Sequence, residues 1–348
     1  GASAGTVGVS PAVAVPLSTV EARARIGAGA TLAIPGAVTV QARTDADATA
    51  TANAAATAGT AAVGLALGLA SGIHAARTEL ARSLAGTGEV AFRATTISGV
   101  TGSGTASASG AEEDAAAGTP DGEGRTGVDK QLGAERDHAD SVATARGLQG
   151  SGSGEAPSAE TSDGPVAAAA AVGVALSSVV AEAVFTGAVT IGTSAAVTLA
   201  TAVDADAAST ADGSATGGTA GIGAGVALTL SEVSNRAIVP ANLAISAGGL
   251  TLRATAAGAG DGTSTITADA KAGAAGDVSV AGSVAIALVD HETLALLASP
   301  VTLVAGTDLA LEAGASLATT VTALPALDGA TGDSVGIGAA FALALLDV

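Results

Sequence analysis

Cysteine, methionine, tryptophan and tyrosine are all missing from this chain of 348 residues, and phenylalanine occurs only as Phe92, Phe185 and Phe341. Without cysteine there are no disulfides, no thiolate metal sites and no cysteine nucleophile. Without tyrosine and tryptophan there are no aromatic platforms for sugar rings, which argues against both glycosidases and lectins. Positive charge is scarce as well. Thirteen Lys and Arg face 32 Asp and Glu, for a formal net charge of −19. Such a surface repels phosphate backbones, so no nucleic-acid partner is expected. Histidine occurs three times, as His74, His138 and His291, too thinly spread for a shared catalytic or metal centre. The most apolar uncharged run, 165–181, falls short of the ~20 residues of a transmembrane helix and is rich in Ala rather than Leu. No membrane span is expected. The first residues, Gly-Ala-Ser-Ala-Gly, have no basic stretch of the kind that opens a signal peptide.

What remains is Gly, Ala, Val, Leu, Thr and Ser. Side chains this small bury well only where backbones approach closely and regularly, which favours stacked repeats over a compact core. A repeat is indeed visible. The block Ile-Gly-Ala-Gly-Val-Ala-Leu-Thr-Leu at 222–230 returns at 7–17, 278–288 and 335–345, with weaker copies ending at Leu69 and Leu176. The closing leucines Leu17, Leu69, Leu176, Leu230, Leu288 and Leu345 are 52 to 58 residues apart, apart from one gap of 107. A second marker has matching spacing: Val38-Thr-Val-Gln-Ala, Val90-Ala-Phe-Arg-Ala, Val197-Thr-Leu-Ala-Thr, Leu250-Thr-Leu-Arg-Ala and Leu309-Ala-Leu-Glu-Ala. Two markers in step define a repeat of about 55 residues, with an insertion of similar size inside the long gap.

Each repeat has three parts: the small/aliphatic strand, a short strand such as Gly187-Ala-Val-Thr-Ile, and the Val-Thr-Val type strand running into a Thr/Ala/Asp stretch. The alternation has period two throughout, so each strand buries one face. Gln41, Arg93, Arg253 and Glu312 fall on the outward positions. Residues 99–163 break the pattern. They hold 12 acidic and four basic residues, and a short helix over 128–146 is the one element expected there. The organisation is therefore repeats 1 and 2 over 1–98, an acidic Gly/Ser-rich insertion over 99–163, and repeats 3 to 6 over 164–348, the last incomplete.

The fold class expected is all-β: an elongated right-handed parallel β-helix, or β-solenoid, with about two coils per repeat and about ten in all. Rows of Val, Leu, Ile and Ala would stack along it, and buried Gly and Ala would let the coils approach. The chain starts at a repeat and stops within another at Val348 without a cap. That suggests a piece of a longer polypeptide or a subunit stacking head to tail, partnered by further repeats or by copies of itself.

The Val-Gly-Ile-Gly-Ala-Ala-Phe-Ala-Leu block at 335–343 and the Gly-Ala-Val-Thr-Val segment at 36–40 resemble the repeats of large bacterial surface proteins. These are filamentous adhesins and autotransporter passengers of the leukotoxin-like and haemagglutinin-like kinds. The resemblance covers nearly all the chain outside the insertion. It implies an exported, extracellular stalk, filament or adhesive surface, and it supplies no catalytic residues; the alternative is a module that binds a cation or a host or cell-surface receptor through the acidic rows or the acidic insertion.

Stacked coils would also bring acidic residues together just after the first strand: Glu21, Glu182, Glu232, Asp290 and Glu292. Of these, Glu182, Glu232, Asp290 and Glu292 are the candidate Ca²⁺ ligands, since calcium takes six to eight oxygens. The alternative is a charged turn that guards sheet edges. Asp45/Asp47 and Asp204/Asp206 are paired acids at equivalent repeat positions, and 258–262, Gly-Ala-Gly-Asp-Gly, is a fragment of a calcium-binding β-roll motif. Apart from calcium, no cofactor is implied.

Overall fold

The computed structural model describes residues 1–110, 166–256, 258–304 and 307–348, and every regular element among them is a strand. The strands fall into three series. The first holds β1 (Ala2–Ala4), β5 (Val38–Ala58), β8 (Val90–Gly110), β11 (Ala196–Thr216), β14 (Gly249–Thr255), β17 (Leu309–Gly314), and the first halves of β15 (Ser264–Leu297) and β18 (Leu317–Asp347). The second holds β2 (Val7–Ala14), β3 (Leu17–Ile26), β6 (Ala61–Leu80), β9 (Val166–Phe185), β12 (Ala220–Val239), and the second halves of β15 and β18. The third is a row of short strands: β4 (Leu32–Ala33), β7 (Leu84–Thr87), β10 (Thr190–Thr193), β13 (Ala244–Ala247) and β16 (Val301–Leu303). The architecture is all-β, and every pairing is parallel.

Register runs from repeat to repeat. Val38 pairs with Val90, Val90 with Val197, Val197 with Leu250 and Leu250 with Leu309. This is the second sequence marker, column for column. The first marker needs one correction. Leu17 pairs with Ser71, not Leu69, and Ser71 leads on to Leu176, Leu230, Leu288 and Leu345. A two-residue slip keeps the same face of a strand, so the alternation alone could not expose it. The expectation of two coils per repeat also fails. Each strand pairs with its equivalents in neighbouring repeats and with no other strand of its own repeat. A repeat therefore makes one pass through the three strand positions.

The first two series lie face to face, running in opposite directions and joined by tight turns at residues 59–60 and 217–219 and around Gly276. At the end nearer the short strands the space between them is wide. It is filled by Val, Leu and Ile with Phe92 and Phe185, whose rings meet edge to face at 5.3 Å and 81°. Toward the turns the space narrows, and the core there is almost entirely alanine. Glycines show how narrow it becomes. A Cβ on Gly68 would run into the carbonyl oxygen of Ser103 across the gap, one on Gly102 into Val174, one on Gly173 into Thr210 and one on Gly213 into Ala224. Sheets with ordinary side chains sit about 10 Å apart; here the backbones themselves are in contact.

This close approach fixes which face points where. In β6 the inward positions are Ala62, Gly64, Ala66, Gly68 and Ala70, and the outward ones include Val63, Leu65, Leu67 and Leu69. The small residues of the recurring block are inside, and its large aliphatic residues are outside. The opposite sheet also turns alanine inward, but its outer face is polar, with Thr39, Gln41, Thr49, Thr51 and Asn53 outside.

Residues 99–110, expected to open the insertion, continue β8 in register with β11. Their Gly-Val-Thr-Gly-Ser-Gly composition reads as a loop, yet Gly102 and Gly104 are inward positions where nothing larger fits. The rest of the insertion and the expected helix at 128–146 lie outside the described residues. The chain leaves at Gly110 and returns at Val166, at the place where the other repeats turn. The apolar run 165–181 enters strand β9 from Val166 onward.

Two substitutions measure the two ends of this core. Gly68→Val should cost about 1–3 kcal/mol or more by forcing the sheets apart. Phe185→Ala, in the wide end, should cost about 3–5 kcal/mol as a cavity. Urea unfolding followed by circular dichroism reads both. A Gly68→Val midpoint equal to wild type would contradict the contact between backbones.

Candidate functional site

The four acids expected to form one ladder occupy three different columns. Glu232 and Asp290 are direct register partners, and Asp347 follows Asp290 on the next strand. Glu182 sits instead in line with Arg77 and Arg236, and its carboxylate accepts a hydrogen bond from Arg77 at 2.6 Å. Glu292 accepts from the Nε of Arg236 at 2.8 Å. Two of the four are therefore neutralised by arginine from an adjacent repeat. The same cross-rung device pairs Arg25 with Glu79 and Arg253 with Glu312. These pairs are half-exposed to solvent, so each is worth at most about 1 kcal/mol. Their main effect is to stop like charges from stacking in register. Among the described residues no three His, Asp or Glu converge as a metal would need.

Beside the Glu232–Asp290–Asp347 row runs a groove of about 640 Å³. Leucines of the first marker column, Leu176, Leu230, Leu288 and Leu345, form one wall, and the acidic row forms the other. It crosses the strands from repeat to repeat, so it belongs to the stack rather than to any one repeat.

The strongest local chemistry lies on the opposite sheet. Asp204 is 4% exposed, covered by the loop that joins β14 to β15. Gly258, Gly260 and Gly262 all have positive φ, at 90°, 46° and 79°, so the loop needs residues without a Cβ. Its backbone amides at Asp261 and Gly262 donate to Asp204 Oδ2 at 2.8 and 3.3 Å, and the Thr265 amide donates to Asp206 Oδ1 at 2.8 Å. Burial raises the pKa of Asp204, reinforced by the negative charge of Asp206, while the Asp261 and Gly262 amides act the other way. Burial likewise raises Asp206, with the Thr265 amide opposing and the charges of Asp261 and Asp47 adding. The Gly-Asp-Gly fragment and the paired acids, separate features in sequence, thus form one structure: an amide cradle closed over a carboxylate. Asp45 and Asp47, the equivalent pair two strands away, have no such loop above them, and Asp45 meets Arg43 at 3.3 Å.

His74 and His291 stand in the same inward column, separated by Val179 and Val233. Both are buried. His74 is held between Ser98, at 2.7 Å from Nδ1, and Ser18, at 3.0 Å from Nε2. Burial lowers both histidine pKa values, against the opposing charges of Asp47 for His74 and Asp290 for His291. His138 lies outside the described residues. Around His74 runs a seam of inward polar groups that separates the wide apolar core from the alanine core. Thr44 donates to the Ala75 carbonyl, Thr96 to that of Val180 and Asn235 to that of Thr255. Sequence reading passed over this seam, because a lone Thr or Ser on an alternating strand does not reveal its face.

The fold and its sites define an all-β protein of parallel, register-stacked repeats. No protein-family model, curated protein or solved structure significantly matches the chain.

The carboxylate shifts have a definite sign. A carboxyl group whose pKa rises on folding stabilises the fold below its unfolded value, near 3.8, and that contribution is lost as pH climbs through the raised folded value. Asp204→Asn keeps an acceptor for the loop amides and removes the charge. Its melting temperature should match or exceed wild type at pH 7, with the advantage gone at pH 3. A variant less stable than wild type at pH 7 but equal to it at pH 3 would contradict the assignment.

Proposed function

We propose that the repeats form an elongated, right-handed parallel β-solenoid, and that the chain is a structural segment of an exported bacterial surface filament, stalk or adhesin. It works by length, rigidity and self-association, without catalysis. The observation that carries this reading is the repeat-to-repeat register of the ladders. Each long strand pairs in parallel with its equivalents in the adjacent repeats along most of its length, and between β15 and β18 the register shifts only at Ala272/Ala274 and at Gly276/Val278. A stack of this kind propagates by adding rungs, because the N–H and C=O groups of one repeat are the template for the next. Further repeats or copies of the chain would pair in the same way. Parallel crossovers are right-handed almost without exception, which supplies the handedness.

The composition supports the same reading. The outward face of the first series is Thr, Ser, Asn and acid, a solvated surface. The cross-rung ion pairs tie repeats together. The main polar constellation, the cradle at Asp204, is closed by a loop rather than open to a substrate. The resemblance to adhesin and autotransporter repeats gives this architecture its exported, surface setting.

Electron microscopy of the purified chain should show rods, or fibres built from them, with strands perpendicular to the long axis. Fibre diffraction should give a meridional repeat near 4.8 Å, the spacing of paired strands. Compact isometric particles without that repeat would overturn the reading.

A further inference from the structure

The second-series sheet has an unusual outer face. Six stretches, 7–17, 61–71, 166–176, 220–230, 278–288 and 335–345, contain no charged residue and no histidine. They pair side by side across the six repeats. One outward column reads Val9, Val63, Ala168, Ile222, Val280 and Ile337; another reads Val13, Leu67, Val172, Val226, Val284 and Phe341. Among the outward positions of these stretches Ser71 is the one polar side chain. Several of the largest groups on the interior strands are nearly half exposed, including Ile222 at 48%, Leu65 at 44% and Val278 at 43%. The close contact of the two sheets leaves these side chains no place inside.

The size of this face is informative. Eleven residues at about 3.3 Å each, by six strands at about 4.8 Å, give about 1000 Å². Monomeric proteins seldom show an apolar patch above about 600 Å², and a standard dimer buries about 800 Å² per partner. We infer that this face is a dimer interface, on which a second copy of the chain packs sheet to sheet. A regular sheet face is its own complement under a two-fold axis. With the axis along the stack, the strands of the two copies run antiparallel. The charged stripes that follow each apolar stretch, from Glu21 to Arg25 in the first repeat and from Glu232 to Arg236 in the fourth, then fall at opposite ends of the pair. A bilayer is the weaker occupant. The flanking arginines Arg23, Arg77 and Arg236 are all ion-paired to glutamates, no Trp or Tyr is present to sit at a headgroup boundary, and the chain is strongly acidic. This association is lateral and does not depend on the end-to-end stacking proposed above.

Sedimentation equilibrium of the full chain tests it, with Val172→Lys/Val226→Lys as the disrupting pair and Thr210→Lys, on the polar sheet, as the control. Wild type and Thr210→Lys should be dimers at micromolar concentration. The double lysine variant should dissociate at least 100-fold more readily, since it buries unpaired charge. Should the double variant fail to fold by circular dichroism, Ala224→Cys supplies a second reading. It would be the sole cysteine in the chain, and a spin label there should report close label pairs across the interface, whereas stacking end to end sets the labels a whole chain apart. A wild-type monomer, a dimer indifferent to the lysines with distant labels, or flotation with neutral lipid vesicles in place of dimerisation would each overturn the inference. Rods without lateral pairs would overturn it while leaving the filament reading intact.

Discussion

The rest of the structure depends on how closely its two long sheets approach. Where Gly68, Gly102, Gly173 and Gly213 face carbonyl oxygens across the gap, there is no room for a methyl group. Dispersion and the exclusion of water act here between backbones, with alanine methyls filling what little space remains. This is a different solution from a core of large interdigitating side chains, and it suits a chain with few aromatic residues. The cost is that the interior accepts no side chain with reach. Most of the larger side chains are sent to the wide end beside the short strands, to the polar seam or to the outer surface. The amphipathic character of the molecule, apolar on one broad side and hydroxyl-rich on the other, follows from that single steric condition.

The ladders supply order in the second direction. In-register parallel pairing stacks like on like, which benefits Val, Leu and Thr columns and penalises charge. The arrangement of Arg77 against Glu182, Arg236 against Glu292 and Arg253 against Glu312 relieves that penalty. Glu232, Asp290 and Asp347 are the exception, an acidic row beside an apolar groove. The polar seam around His74 serves a further purpose. Its side chains bond to the carbonyls of the opposite sheet, which fixes the sheets along the strand direction where alanine alone would let them slide.

Much of this could be read in the sequence. The repeat length, the three strands per repeat, the parallel all-β class and the outward places of Gln41, Arg93, Arg253 and Glu312 follow from spacing and alternation. What period two cannot tell is which face is inside. In the block at 335–345 the habit of burying the larger residue points the wrong way, because the deciding fact is the distance to a second sheet, which the alternation of one strand does not record. The same limit explains the acidic ladder. Glu232, Glu292 and Glu182 all follow shortly after the closing leucine of their repeat, but two residues of register separate neighbouring columns on one face, and the three fall in three columns. The slip from Leu69 to Ser71 is the same error in another place. The expected start of the insertion at 99 falls within β8, because Gly-Ser composition marks both loops and strands that must pass another backbone closely. The cradle over Asp204 joins residues almost sixty positions apart, and only the ladder between β11 and β15 brings them together.

One consequence concerns the narrow end. The turns there join two strands that are already held over their full lengths, by ladders on each side and by contact across the gap. The chain between Gly110 and Val166 departs and returns at this point without changing the register of β8 or β9 with their neighbours. A turn at the tip is thus decoupled from the rungs it connects, and its length is free to vary. The ladders, not the turns, therefore set the spacing of the rungs: β8 and β9 keep their places in the stack although residues 111–165 connect them.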